Sequence, residues 1–185
     1  MKNQKLADAL FVGQLVGLVV YGISQSNRML TSVQGVSMSV FLLFWTFVGY
    51  LLLLSLRAHR AQPSRITGHI LIGHTVGIAM VTGFTALLAW HLMTGVYQWV
   101  MNDTLTMAVA IVGSFIVIAL GKMRGLGPTD PIVRGWLASC CKALPQAFMA
   151  WKIGHVGGAG LAATAIWTVH ITNAIRLSQL TLSLR

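Results

Sequence analysis

Apolar residues fall in six runs, at positions 7–25, 33–56, 66–93, 105–120, 132–151 and 157–180, with short polar stretches between them. Runs near twenty residues are long enough to cross about 30 Å of hydrocarbon as helices. The expected fold is therefore an all-α membrane bundle of about six transmembrane helices, with no soluble domain. The first run carries Gly13, Gly17 and Gly22, a small-residue face that lets helices approach closely in lipid. It lacks a small-residue cleavage site before the next run and reads as a retained helix. SNRMLTSVQG connects it to the second run, which includes FLLFWTFVGYLLLL and ends in the basic stretch RAHRAQPSR. The third run contains His69, His74 and His91. TGVYQWVMND follows, and its Tyr97 and Trp99 suit a membrane–water interface. The fourth run, TLTMAVAIVGSFIVIAL, is polar only in Thr and Ser and is expected to position its neighbours. GKMRGLGPTDP has the Gly and Pro of a loop. The fifth run holds Pro145-Gln146.

Composition supports this pattern. The 185 residues are 56% hydrophobic and 9% charged, where a soluble domain carries about 25% charged residues. A net charge of +10 would suggest nucleic acid in a soluble protein. Here the cations lie between apolar runs, where they fix orientation and meet anionic headgroups, so the expected partners include membrane lipids and no nucleic acid. Lys2, Lys5, Arg57, Arg60, Arg65, Lys122, Arg124, Arg134 and Arg185 fall on one side under six spans. Arg28 and Lys152 fall on the other, with Lys142 and Arg176 inside or near spans. The positive-inside rule then places both termini in the cytoplasm, and a bacterial inner membrane is the expected location. Asp8 opens the first run, and Asp103 and Asp130 read as loop residues. With no acid expected at mid-membrane, facilitated movement of a solute is favoured over acid-coupled pumping. Cys140 and Cys141 are adjacent, do not face each other on a helix, and are expected to pack.

Two stretches share a plan. Leu144 to Asn173 runs from Pro145-Gln146 through a Gly-rich connection to Trp167-Thr168. Ser24 to Tyr50 runs from Gln25 through a short polar connection to Trp45-Thr46. Gln25 precedes Trp45 by 20 positions and Gln146 precedes Trp167 by 21. A proline within a helix removes a backbone hydrogen bond, and in a membrane the kink is tolerated where neighbours re-satisfy the freed carbonyl. Transporters are often built from such repeats, with the solute site at the repeat interface.

LPQAFMAWKIGHVGGAGLAATAIWT, and more weakly ISQSNRMLTSVQGVSMSVFLLFWT, resemble the PQ-loop superfamily, which includes the SWEET and SemiSWEET sugar transporters, the lysosomal amino-acid exporters and the KDEL receptors. Ser24 stands where the family's proline would be in the first stretch. The resemblance implies two three-helix units about a central path: a first unit over 7–95, a linker helix over 104–121 and a second unit over 131–181. Gln25, Pro145 and Gln146 would form hinges or gates. Trp45, Trp167 and Asn173 would bind a small polar solute such as a sugar, amino acid or vitamin. The second unit is one helix short, which makes a homodimer plausible.

His74 and His170 are candidates for the polar pathway, since ionisable residues within spans are functional hypotheses and imidazole titrates near neutral pH. Haem ligation, as in b-type cytochromes, would need two His on facing helices at one depth. His74 with His170 is the nearest pair, and the depths are poorly matched. A haem-binding electron carrier and a non-transporting receptor or scaffold are the alternative readings. No metal or cofactor is expected. No Ser-His-Asp, paired-carboxylate or phosphate-loop pattern supports an enzyme.

Overall fold

The structure, a computed structural model, describes residues 2–33, 35–143 and 145. All elements among the described residues are helical: α1 (Lys2–Thr31), α2 (Met38–Ala61), α3 (Arg65–Met93), α4 (Met101–Met123) and α5 (Pro131–Ala138), which runs on as a π-turn at Ser139–Ala143. The four helices α1 to α4 are long and apolar enough to cross a membrane. The chain is an integral membrane protein. Four of the expected spans are found among the described residues, and the short α5 covers the beginning of the fifth apolar run. The rest of the fifth run and the whole sixth run, with Gln146, Trp167, His170 and Asn173, lie outside the described residues.

Local chemistry sets the ends of the helices. Ser64 caps α3 in a reciprocal box: its hydroxyl accepts from Thr67 N at 3.2 Å, and Thr67 Oγ1 accepts from Ser64 N at 3.0 Å. Asp130 caps α5, accepting from Ile132 N at 2.8 Å, with Pro131 in the first helical position. Gly125 ends α4 with a φ of 72°, a conformation that glycine adopts at little cost. There Leu126 N donates to Gly121 O at 2.9 Å and Gly125 N to Lys122 O at 3.0 Å, closing the last carbonyls.

Several boundaries differ from the hydropathy pattern. The first helix does not stop at Gln25 but continues to Thr31, so SNRMLT is helical and only 32–37 connects. The reason is packing: Met29 is fully buried in a cluster with Met38, Phe41, Phe84, Leu88 and Tyr97. RAHRA likewise continues α2, and only Gln62–Ser64 turns the chain. No helix breaker occurs there before Pro63.

Chain reversals put the start of α1, the end of α2, the start of α3, the end of α4 and the start of α5 at one end of the bundle. This end carries Arg57, Arg60, Arg65, Lys122, Arg124 and Arg134 and is called the basic end below. α2 and α3 form the most extensive helix pair, α1 packs on α3, and α4 packs on α2. In lipid such packing rests on close contact rather than on water exclusion. Gly22 supplies it between α1 and α3, where an added Cβ would meet Met80 Sδ at 3.1 Å. Gly13 and Gly17 do not: nothing among the described residues lies within 4 Å of a Cβ placed there. Among the described residues, the expected three-glycine face therefore makes one close contact, at Gly22. Phe84 anchors the core, with Phe41 edge-on at 5.5 Å and Tyr21 edge-on at 6.1 Å. A second cluster joins Phe47 of α2 to Val133 and Leu137 of α5 and to Val117 of α4. The outer faces of α1 and α4 expose Val12, Val16, Val20, Val112, Phe115 and Ile116, which suits contact with lipid tails.

Candidate functional site

Among the described residues, the buried side chain with the most hydrogen bonds is Asp103. It stands in the first turn of α4, not in a loop as the sequence pattern suggested, and it is 1% exposed. Its Oδ1 accepts from Ser37 Oγ at 2.5 Å and from Ser39 Oγ at 3.1 Å. Its Oδ2 accepts from Tyr97 OH at 2.7 Å and from Val100 N at 3.2 Å. Tyr97 OH accepts in turn from Met38 N at 3.0 Å. All four donors to the carboxylate are neutral, and the helix N-terminus adds partial positive charge. Burial first, then the adjacent Asp103 hydrogen bond and charge, push the Tyr97 hydroxyl far above the ordinary phenol pKa, against the lowering effect of the Met38 N–H. The phenol therefore stays protonated and stays a donor.

This network ties the α1–α2 connection to the α3–α4 connection at the end opposite the basic end. His91 extends it to α1. It is 5% exposed, and its Nε2 lies 2.9 Å from Met29 O. A carbonyl only accepts, so in the neutral ring Nε2 carries the proton and Nδ1 is bare. Nδ1 is buried without a hydrogen-bond partner among the described residues. At the basic end, Asp8 of α1 pairs with Arg65 of α3, and His69 Nε2 lies 3.7 Å from the same carboxylate. The His69 ring stacks on Phe11 at 4.1 Å. Asp8 thus joins α1 to α3 at the basic end, and Asp103 joins the start of α2 to the α3–α4 connection and the start of α4 at the opposite end.

The residues singled out by sequence are placed as follows. Trp45 is on α2, 44% exposed, with its indole N–H donating to Thr82 Oγ1 of α3 at 2.9 Å. Gln25 is buried on α1 within an unbroken helix. His74 is half-buried in the first half of α3. Pro145 is buried and follows the π-turn Ser139–Ala143. Proline has no N–H for the carbonyl four residues back and crowds it. A widened π-turn is a known way for a helix to absorb such a defect and is frequent at functional sites. The π-turn packs on α4, with Cys141 Sγ 3.5 Å from Ser114 Oγ and Cys140 Sγ 3.1 Å from a Cβ placed on Gly113. Described residues bring none of Gln25, Trp45, His74 and Pro145 into hydrogen-bond contact with another. No group of three His, Cys, Asp or Glu among the described residues could hold a metal.

Sequence reasoning missed the Asp103 network because two of its donors, Ser37 and Ser39, lie 66 and 64 residues away along the chain. Only the local signal was visible: an acid three positions after Val100, at the head of an apolar helix, where it can reach back to a free N–H. No family model, curated protein or solved structure matches the chain.

Proposed function

We propose that this chain is a membrane transporter of PQ-loop type that moves a small polar solute by alternating access of two helical units. The observation that carries the reading is the π-turn Ser139–Ala143 directly ahead of the buried Pro145. It places a departure from α geometry beside the Pro145-Gln146 pair, in a segment that packs on α2 and α4. The carboxylate contacts among α1–α4 support the same mechanism: Asp8 joins α1 to α3 and Asp103 joins α2 to the α3–α4 connection, so motion concentrates where the ladder is already broken. In this reading the second unit, 131–181, rocks against the first about Pro145 and Gln146. Gln25 is the matching amide of the first unit. Trp45, Trp167 and Asn173 line the path, with His74 and His170 as its polar groups. The basic end faces the cytoplasm of a bacterial cell, and both termini lie there.

The test is uptake by purified protein in proteoliposomes, using a panel of radiolabelled sugars, amino acids and vitamins under counterflow. At least one solute exchanges faster than in empty vesicles, and Gln146→Ala slows that exchange about tenfold. A panel with no solute above the empty-vesicle rate would overturn the proposal. A reversible haem Soret band from the purified protein would replace it with electron transfer.

A further inference from the structure

The cations at the basic end outnumber every acid that could neutralise them. Arg57, Arg60, Arg65, Lys122, Arg124 and Arg134 stand there. The whole sequence holds three acidic side chains. Asp103 is at the opposite end, Asp8 pairs with Arg65, and Asp130 caps α5 through Ile132 N. The residues outside the described ones include no Asp or Glu, so their side chains add no negative charge here. The net positive sign of this end therefore holds for the entire chain.

Packing gathers part of this charge at the corner where α4 turns into α5. A Cβ placed on Gly121 would lie 2.8 Å from Val133 Cγ2, so the end of α4 lies against the start of α5. Arg134 follows Val133, and Arg124 Cζ lies 5.9 Å from the centre of the Trp136 ring, a cation–π contact. Tyr50 OH donates to Pro128 O at 2.6 Å, so the loop also rests on α2. Arg57 is exposed seven residues beyond Tyr50, about two turns on and on the same face of α2. The depth suits a headgroup. α4 has 23 residues, about 35 Å of helix against about 30 Å of hydrocarbon, and Arg124 stands just past its end. Trp136 is five residues along α5 from Pro131, about 8 Å, at the level where indole rings concentrate. Leu120 and Met123 in the last turn of α4 are exposed among the described residues. The corner thus sets cations at headgroup level beside apolar side chains.

We propose that an anionic phospholipid docks at this corner, its phosphate against Arg124 and Arg134 and its acyl chains along Leu120 and Met123. A guanidinium suits a phosphate because its planar fork can meet two oxygens. Trp136 restrains the Arg124 side chain, so less rotamer freedom is lost when the phosphate arrives. The excess positive charge selects among lipids. Phosphatidylcholine brings its own cation, which Arg57, Arg124 and Arg134 repel, whereas phosphatidylglycerol brings none. The bound lipid spans the α4–α5 loop and adds to the contact between those helices. Docking of this kind requires nothing of the transport reading.

The test is native mass spectrometry of the full chain in detergent with an equimolar mixture of phosphatidylglycerol and phosphatidylcholine. Wild type carries phosphatidylglycerol in preference. Arg124→Gln lowers the ratio of the two lipid-bound species about fivefold, the worth of one cation near an anionic surface. Arg124→Lys keeps most of the preference, and Arg134→Gln, the second variant, lowers it in the same direction. Arg65→Gln removes the same charge from the same end, but from a group paired with Asp8, and leaves the ratio unchanged. Phosphatidylglycerol raises the thermal unfolding temperature of wild type more than phosphatidylcholine does, and excess inorganic phosphate does not reproduce the rise. Matching size-exclusion profiles and far-UV circular dichroism show that the variants fold. Equal carriage of the two lipids by wild type overturns the proposal. Equal losses in Arg124→Gln and Arg65→Gln show a diffuse surface attraction and overturn the site. A thermal shift reproduced by inorganic phosphate identifies a free anion and overturns the lipid.

Discussion

Replacing Asp103 by alanine tests whether the buried carboxylate fastens the two connections at its end of the bundle. The substitution removes four hydrogen bonds from a residue 1% exposed. The consequences differ between donors. Ser37 and Ser39 already lie 2.8 Å apart and can pair with each other. Tyr97 OH has no comparable substitute, and a buried donor without an acceptor costs about 1–3 kcal/mol. Losing a carboxylate from a helix N-terminus adds about 0.3–1 kcal/mol, and losing Val100's partner adds a smaller amount because that residue is 42% exposed. Relief of charge burial works the other way. The net expectation for Asp103→Ala is a loss of about 2–4 kcal/mol. Asp103→Asn should cost only about 1 kcal/mol: its amide oxygen can face Tyr97 and Val100, whose donors are fixed, while its NH2 faces hydroxyls that can turn to accept. The assay is reversible unfolding in mixed micelles, followed by far-UV circular dichroism. Alanine within about 0.5 kcal/mol of wild type would refute the reasoning, as would asparagine as unstable as alanine.

Three further outcomes follow from single contacts. Gly121→Ala puts a Cβ 2.8 Å from Val133 Cγ2 and should cost about 1–3 kcal/mol by overpacking the α4–α5 contact; the same unfolding assay should show partial recovery in Gly121→Ala/Val133→Ala. Trp45→Phe removes the indole donor to Thr82 and should cost about 1 kcal/mol, with no further loss when Thr82→Val is added, a non-additivity that a double-mutant cycle measures. Tyr97 has a pKa raised above its unfolded value of 10.0, so its contribution to stability is complete below about pH 10 and declines as pH rises further; Tyr97→Phe should flatten that alkaline decline in unfolding measurements made between pH 9 and 11.

Hydropathy located the middles of α1–α4 but not all their ends, and the reasons are physical. It reports what contacts lipid, whereas the last turns of α1 are held by burial of Met29 and by the His91 contact to its carbonyl. Polar Ser24, Ser26 and Asn27 hid that continuation. The cations of RAHRA likewise read as loop, yet Arg57 and Arg60 are compatible with a helix that runs beyond the hydrocarbon. Pro145 was legible as a backbone defect because proline's missing N–H is a property of the residue itself. The Asp103 network was not, since its serines and tyrosine are ordinary residues until folding brings them to one carboxylate. Lys142 was visible as a cation in or near a span, but its reach to Phe44 is a fact of packing between helices far apart in sequence.

The central claim is that two matched units move against each other about Pro145-Gln146. Spin labels on Thr46 and Thr168, beside the paired tryptophans, test it most directly by pulsed electron–electron distance measurement in lipid nanodiscs. The account predicts two distance populations, shifted in proportion by a solute that the counterflow assay accepts and merged by Pro145→Ala. A single distance, unchanged by that solute and by Pro145→Ala, would contradict it.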